Sequence, residues 1–314
     1  MKILFLSDIH GSSLIFEKAL NAVSNFGIDI LIISGDLAGK DIRPIIGANG
    51  FYKTEMDGKV ISVSEREIHS IKKRLEDLGH YYFLTNQEEF KKLQSIPDRI
   101  MKILDEKILE RLEEWILKII DQINVNKTKV IISPGNDDTK QIDSLLIKYN
   151  NRGIYTGLKN PILFKEVEII TLDYTNITPW NTERELNEKK LKKLIAEKIG
   201  GIKNVENAIF NFHCPPFNTK LDLAPQLDKD LKYDVKPGGI NIVHTGSTAV
   251  FESIKEYQPL LSLHGHIHES KGFEYIGRTL SLNPGSEHEK GILNAYIIDI
   301  DEKCTIRDFY LIEE

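Results

Sequence analysis

Seven residues of this chain have the types and spacing of metal ligands: Asp8 with His10, Asp36, Asn136, His213, and His266 with His268. Imidazole nitrogen and carboxylate or amide oxygen are the usual ligands of divalent first-row metals. Asp8/His10 and His266/His268 are i, i+2 pairs. Alternate side chains of an extended strand share a face, so each pair can project together from a strand end. Gly265 beside His266 permits a close backbone approach there. His264 is a third alternating imidazole with two open readings, outer support for the ligands or a buried structural histidine. Two carboxylates, one amide and four imidazoles suffice for two ions. In such sites the ions lie about 3.5–4 Å apart and can share one oxygen ligand. Nitrogen and oxygen ligation without thiolate suits manganese, taken as first choice, and iron, zinc, cobalt or nickel; it disfavours calcium and structural zinc.

The elements that must position these residues are short apolar runs, each emptying into a candidate ligand. Residues 2–7, 28–33, 128–133 and 208–212 read as buried strands ending before Asp8, Asp36, Asn136 and His213, and the run 259–263 leads to the histidine stretch. Helical spacing follows the first of these, with Ser12 or Ser13 as cap, and Ser247 can cap a helix to Tyr257. Thr182 with Glu185 has the spacing of a capping box opening a helix that runs to about Ile199. Alternation of strand and helix predicts an α/β class, and in open α/β sheets ligands bind beyond the carboxyl ends of the strands. Residues 51–125, rich in Lys and Glu, read as a helical insertion within a single domain spanning 1–314. Its clearest part is a helix over 98–124 with an apolar stripe from Ile100 to Ile123. That insertion is expected to cover the core, form a lid, or make a homo-oligomer contact.

Composition narrows the partners. The 314 residues are 41% hydrophobic and 28% charged, as in ordinary soluble proteins. A formal net charge of −6 provides no general basic field for a polyanion, so nucleic acid is not the favoured partner. Two cysteines make no disulfide framework, and a reducing, cytoplasmic setting is expected. Asp8 interrupts the N-terminal apolar run too early for a signal peptide, and no stretch approaches the ~20 apolar residues of a membrane helix.

Taken in order, D-x-H at Asp8, G-D at Gly35-Asp36, G-N-D-D at Gly135-Asn136-Asp137-Asp138, the isolated His213 and G-H-x-H at Gly265 to His268 resemble the calcineurin-like metallophosphoesterase superfamily. The resemblance runs from residue 2 to about 300, the insertion excepted. Thr178-Pro179-Trp180, His213-Cys214-Pro215-Pro216 and Asn283-Pro284-Gly285-Ser286 are further similar to an uncharacterised prokaryotic subgroup. The resemblance implies a four-layer αββα sandwich of two mixed β-sheets flanked by helices. It implies two divalent ions, one taking Asp8, His10, bridging Asp36 and His268, the other bridging Asp36, Asn136, His213 and His266. It implies a hydrolase of phosphate esters in which a bridging hydroxide attacks phosphorus in line. A phosphodiester of a small or nucleotide-like substrate is the first expectation. The alternatives are a phosphomonoesterase, a nuclease, or a silent protein-binding scaffold on the same fold.

Many members of that superfamily carry a histidine where this chain has Asp137, which leaves the proton for the leaving group without its usual donor. Asp137 could serve if its pKa were raised, whereas a cationic neighbourhood lowers it. Asp138 reads as a helix cap. Lys40, Arg43 and Arg184 are candidate phosphate contacts. Trp180 reads as a core residue, and Cys214 as packing rather than nucleophile. His69, His80, His244 and His288 fit no motif.

Overall fold

The computed structural model describes residues 1–56, 58–237 and 239–314. The apolar runs form the expected strands, and these assemble into two six-stranded mixed sheets. In the first sheet the order is Ile306–Glu313, Asn294–Ile300, Lys2–Ser7, Ile30–Ser34, Lys129–Ser133, Ile154–Tyr155. The last four are parallel, and the two closing strands antiparallel. In the second sheet it is Gly272–Ile276, Thr279–Asn283, Leu261–Leu263, Ile209–Phe212, Val167–Leu172, Ile162–Phe164, with a parallel centre and antiparallel edges.

Strands with both faces buried must be covered twice, and three apolar layers do this. One, with Ile3, Phe5, Ile32, Ile131, Ile209 and Leu261, lies between the sheets. A second packs the first sheet against the helices Ser13–Phe26, Pro97–Gln122 and Gln141–Lys148. The third packs the second sheet against Glu188–Ile199 and Thr248–Tyr257. This is the four-layer αββα sandwich. Its central strands are parallel in both sheets, so their carboxyl ends gather at one edge.

The segment read as a helical insertion is corrected in kind and in extent. It starts before residue 51, and a four-stranded sheet forms in the order Lys59–Ser64, Phe51–Met56, Ile42–Ala48, Tyr81–Asn86. Lys and Glu content suggested helix, but these stretches are aromatic and β-branched, which suits a pleated surface. Asn49 (φ 52°) and Gly50 (φ 78°) form the left-handed pair of a tight hairpin. That signal was present in the sequence. The long helix is there, as Pro97–Gln122, and its stripe from Leu104 to Ile119 is buried against the first sheet, Trp115 stacking on Phe16 with centroids 4.6 Å apart. The stripe is therefore core, not a subunit face.

Ser12 and Ser247 cap their helices as expected, accepting from the amides of Ile15 and Val250. Thr182 and Glu185 do hydrogen-bond, Thr182 N to Glu185 Oε1 at 3.0 Å, but they close a loop. The helix starts at Glu188, capped by Asn187, because Arg184 and Leu186 are drawn into backbone pairing with Thr175. Among the described residues, no helix is long and apolar enough to cross a membrane. Both cysteines are free.

Candidate metal centre

Each of the seven residues sits just beyond the carboxyl end of a central strand, on three strands of the first sheet and two of the second. The chain turns sharply there, and Asp8, His10, Asp36 and His266 adopt φ of 56°, 41°, 45° and 69°. These left-handed conformations are unfavourable for residues with a Cβ and mark strain held at one place. Gly35 (φ 81°) and Gly265 have a steric duty. A Cβ on Gly35 would collide with the His213 ring, and one on Gly265 with Ser7 Oγ and the Asp8 carboxylate.

The seven residues alone form two sets of ligand atoms, each within 4.8 Å of one another: Asp8, His10 and Asp36, and Asp36, His213 and His266. Asp36 belongs to both. His268 Nε2 lies 3.0 Å from His10 Nε2 and 3.6 Å from Asp8 Oδ1. His213 Nε2 stands 3.3 Å from Asp36 Oδ1 and 3.9 Å from Asp8 Oδ1. The amide of His266 donates to both Asp8 oxygens, at 3.1 and 3.0 Å, tying the two sheets together.

Charge in this buried cluster is settled by proximity. Burial pushes Asp8 up, but His213 and His268 outweigh it and hold the carboxyl at about 2. Asp36 is held lower still: against burial, His213 and His10 favour its ionised form. Burial pushes His213 down, but Asp36 and Asp8 outweigh it and raise the imidazole to about 9. Burial drives His10 to about 3 and His266 to about 4, so both are neutral acceptors. Burial opposes a proton on His268, but Asp8 favours it and its pKa is raised.

The polar atoms left over test whether metal fits. Among the described residues neither ring nitrogen of His213 makes a hydrogen bond, nor does Asn136 Oδ1, though all three atoms are buried. Asn136 uses its amide hydrogens on Thr182 Oγ1 and Asp137 Oδ1, both at 3.2 Å, which leaves the carbonyl oxygen as a free acceptor. A buried acceptor without a partner costs about 1–3 kcal/mol. A free Asn136 carbonyl oxygen and an imidazole that offers a nitrogen once its extra proton leaves, beside two carboxylates, fit divalent cations.

The neighbours of this cluster differ from their sequence readings. Asp138 caps no helix. Its carboxylate accepts from the backbone of Leu37, Ala38 and Gly135, each at 2.9 Å, clamping the Asp36 loop to the Asn136 loop, and burial with Asp36 pushes it up to about 7. Asp137 donates its amide to Asp36 Oδ1 at 2.9 Å and pairs with Lys40 Nζ at 2.6 Å. Burial and Asp36 raise its pKa in spite of Lys40, the opposite direction to that of a cationic neighbourhood. Arg184 is 1% exposed and meets Asp143 and Asp173, each at 2.6 Å, with the Asp138 carbonyl at 3.0 Å. It is an internal brace and cannot contact a substrate phosphate. Trp180, expected in the core, is 57% exposed. Cys214 is buried, its thiol pushed up to about 12 by that burial, and is no nucleophile. His264 reaches the carbonyls of Phe212 and Cys214 through Nδ1, both at 2.9 Å, and so holds the backbone on either side of His213.

Lys40 and Arg43 line a cleft of about 560 Å³ beside His10, and Arg43 is paired there with Asp41 and Glu55. Three residues at the site carried no motif. His80 lines the same cleft and pairs with Asp41 at 2.8 Å. Arg111, from the long helix, donates to the carbonyls of Gly11 and His80 at 2.9 and 2.8 Å. His288 stands with its ring centroid 4.4 Å from that of His10. No local spacing marks these positions, since each comes from an element remote in sequence.

The sequence pattern of the calcineurin-like phosphoesterase family matches residues 1–270. The chain belongs to the calcineurin-like phosphoesterase family. Among its relatives is the uncharacterised protein MJ1162 of Methanocaldococcus jannaschii, 29% identical over 158 residues, which are 50% of this chain and 63% of that protein. The match therefore spans less than two thirds of that relative's length. TT1561 of Thermus thermophilus aligns over 99% of this chain and 97% of its own, with a TM-score of 0.54 and 14% identity. Another solved structure aligns over 99% and 98% with a TM-score of 0.60 and 16% identity. At these identities the likeness concerns the fold of this family, not the substrate.

Proposed function

We propose that this chain is a metal-dependent phosphoesterase whose centre is held by Asp8, His10, Asp36, Asn136, His213, His266 and His268. The observation that carries the reading is the set of buried polar atoms without a hydrogen-bond partner, both His213 ring nitrogens and Asn136 Oδ1, beside Asp36, which belongs to both ligand sets formed by the seven residues. Asp8, His10, Asp36 and His268 would hold one cation, and Asp36, Asn136, His213 and His266 the other. Such cations supply Lewis acidity and positive charge for attack of water on a phosphate ester. Family membership supports the same chemistry.

The chain's own groups act around that centre. Lys40 lines the cleft next to His10 and is an exposed cation available there to an incoming phosphate. Asp137, which donates its amide to Asp36 Oδ1 and holds Lys40 at the cleft, is the candidate for returning a proton to the leaving oxygen. A second cleft of about 490 Å³ lies on the other side of His288 and Glu289, which line both. Two clefts meeting at one centre leave room for two substituents on phosphorus. We therefore favour a small or nucleotide-like diester, with manganese as the first choice of metal.

The test combines metal analysis with turnover of bis-aryl phosphate, aryl and alkyl monoesters, cyclic and linear dinucleotides and single-stranded nucleic acid. The expected result is two ions per chain and diesters preferred over monoesters. Asp36→Asn should lower turnover by at least about 100-fold, since removing a direct ligand exceeds the loss of an outer partner. No bound ion and no turnover with added manganese would leave a protein-binding scaffold as the better reading.

A further inference from the structure

The ligand set above is complete without His288, yet the fold delivers this residue to the same place. The loop after the strand Thr279–Asn283 leads into a short 3-10 turn, His288–Lys290, closed by Gly291 at φ 67°. It is anchored to the ligand loops themselves. Asn283 Nδ2 donates to the carbonyls of Gly265 and Ile267 at 3.3 and 3.0 Å. Ser286 donates its amide to the His268 carbonyl at 3.2 Å and its hydroxyl to the Asp8 carbonyl at 2.6 Å. Whatever sets Asp8 and His268 thereby sets His288. Its ring centroid is 4.4 Å from that of His10 and 5.6 Å from that of His268. One ring nitrogen from each of the three lies within 4.8 Å of the other two.

A count of hydrogens determines the tautomer. A serine hydroxyl has one proton to give. Ser286 gives it to the Asp8 carbonyl, so toward His288 Nδ1, 3.2 Å away, Ser286 Oγ can only accept. His288 then carries its hydrogen on Nδ1 and keeps a free lone pair on Nε2. Ligating histidines are held in this way, one nitrogen on the metal and the other donating to an outer partner.

We propose that His288 is an additional ligand of the first ion, beside His10 and His268; this rests on the dinuclear reading above. The first site would then have three imidazoles with Asp8 and Asp36, against two imidazoles in the second. More imidazole favours iron, cobalt, nickel and zinc over manganese. The two ions of one chain would accordingly differ in preference, the first being the harder to fill with manganese alone.

The experiment uses the full chain stripped with a chelator and titrated with cobalt(II), followed by visible absorption and calorimetry. Wild type is compared with His288→Ala and with His288→Phe, which keeps a ring but has no nitrogen. Both variants should lose about 10–100-fold in affinity at one of two sites, with an altered cobalt spectrum and an unchanged second site. Their preference for cobalt over manganese at the weakened site should also fall. Wild type binding two ions while both variants keep its affinities and spectrum would remove His288 from the centre and leave the dinuclear reading intact. A loss in His288→Ala that His288→Phe restores is a packing effect and also overturns the proposal. Wild type binding fewer than two ions overturns both readings together.

Discussion

At the scale of single residues, the proposed ligands are poised by contradiction. Asp8, His10, Asp36 and His266 hold left-handed backbone conformations, each costing about 1–2 kcal/mol. His213, raised to about 9 by Asp36 and Asp8 against its burial, carries a second ring proton at neutral pH, whereas a ligating imidazole must be neutral. The sign of the pH dependence follows. A cation bound through His213 must expel that proton, so uptake at pH 7 should release about one proton, and apparent affinity should rise about tenfold per pH unit until pH approaches 9. Calorimetry of manganese binding in buffers of different protonation enthalpy measures this directly. Heats independent of the buffer at pH 7 would place the proton elsewhere.

At the scale of elements, loops are braced from behind so that their tips can be strained. The Asn136–Asp138 loop has two such braces. Asp138 clamps it to the Asp36 loop, and Arg184 donates to the carbonyls of Asp138 and Thr139 while pairing with Asp143 and Asp173. Arg184→Ala would leave Asp173, a buried carboxylate, without its cation. Breaking a buried pair from one side costs about 3–5 kcal/mol. Urea unfolding of this variant should show a loss of that order, while KM for a phosphodiester stays within about threefold because no substrate contact is removed. A raised KM with unchanged stability would restore Arg184 as a phosphate contact. The inserted four-stranded sheet belongs to this scale as well. Arg111 from the long helix joins the turn after His10 to the cleft wall at His80, so the insertion supports the centre as well as covering the core.

At the scale of the molecule, two sheets packed face to face bring strand ends far apart in sequence to a common edge. The formal net charge of −6 gives the surface no general basic field to hold a long polyanion. Any cleavage of single-stranded nucleic acid should therefore be slower than that of a small diester, and moderate salt should speed it by screening repulsion. A nuclease working through a basic groove would behave in the opposite way, losing affinity steeply as salt rises. Initial rates on both substrates, measured on either side of the roughly 0.1 M ionic strength at which the screening length is about 10 Å, separate the two.

The sequence by itself determined the class of fold, the strands that end in Asp8, Asp36, Asn136 and His213, and the histidine pair at His266 and His268. These are local: an apolar run makes a buried strand, and the residues that follow it lie at that strand's carboxyl end, where left-handed turns at Asp8, His10 and His266, not strand alternation, aim the side chains. Even the hairpin at Asn49-Gly50 was legible, though Lys and Glu content masked it. Tertiary structure alone decided that Arg184 is an internal brace, that Asp138 is a clamp and not a cap, and that Asp137 is raised. It alone brought His80, Arg111 and His288 to the centre. Burial, partner and charge environment for these residues depend on elements remote in the chain, as in the bond from Ser286 to Asp8. Spacing along a chain carries no information about which side chain a distant loop will set beside it.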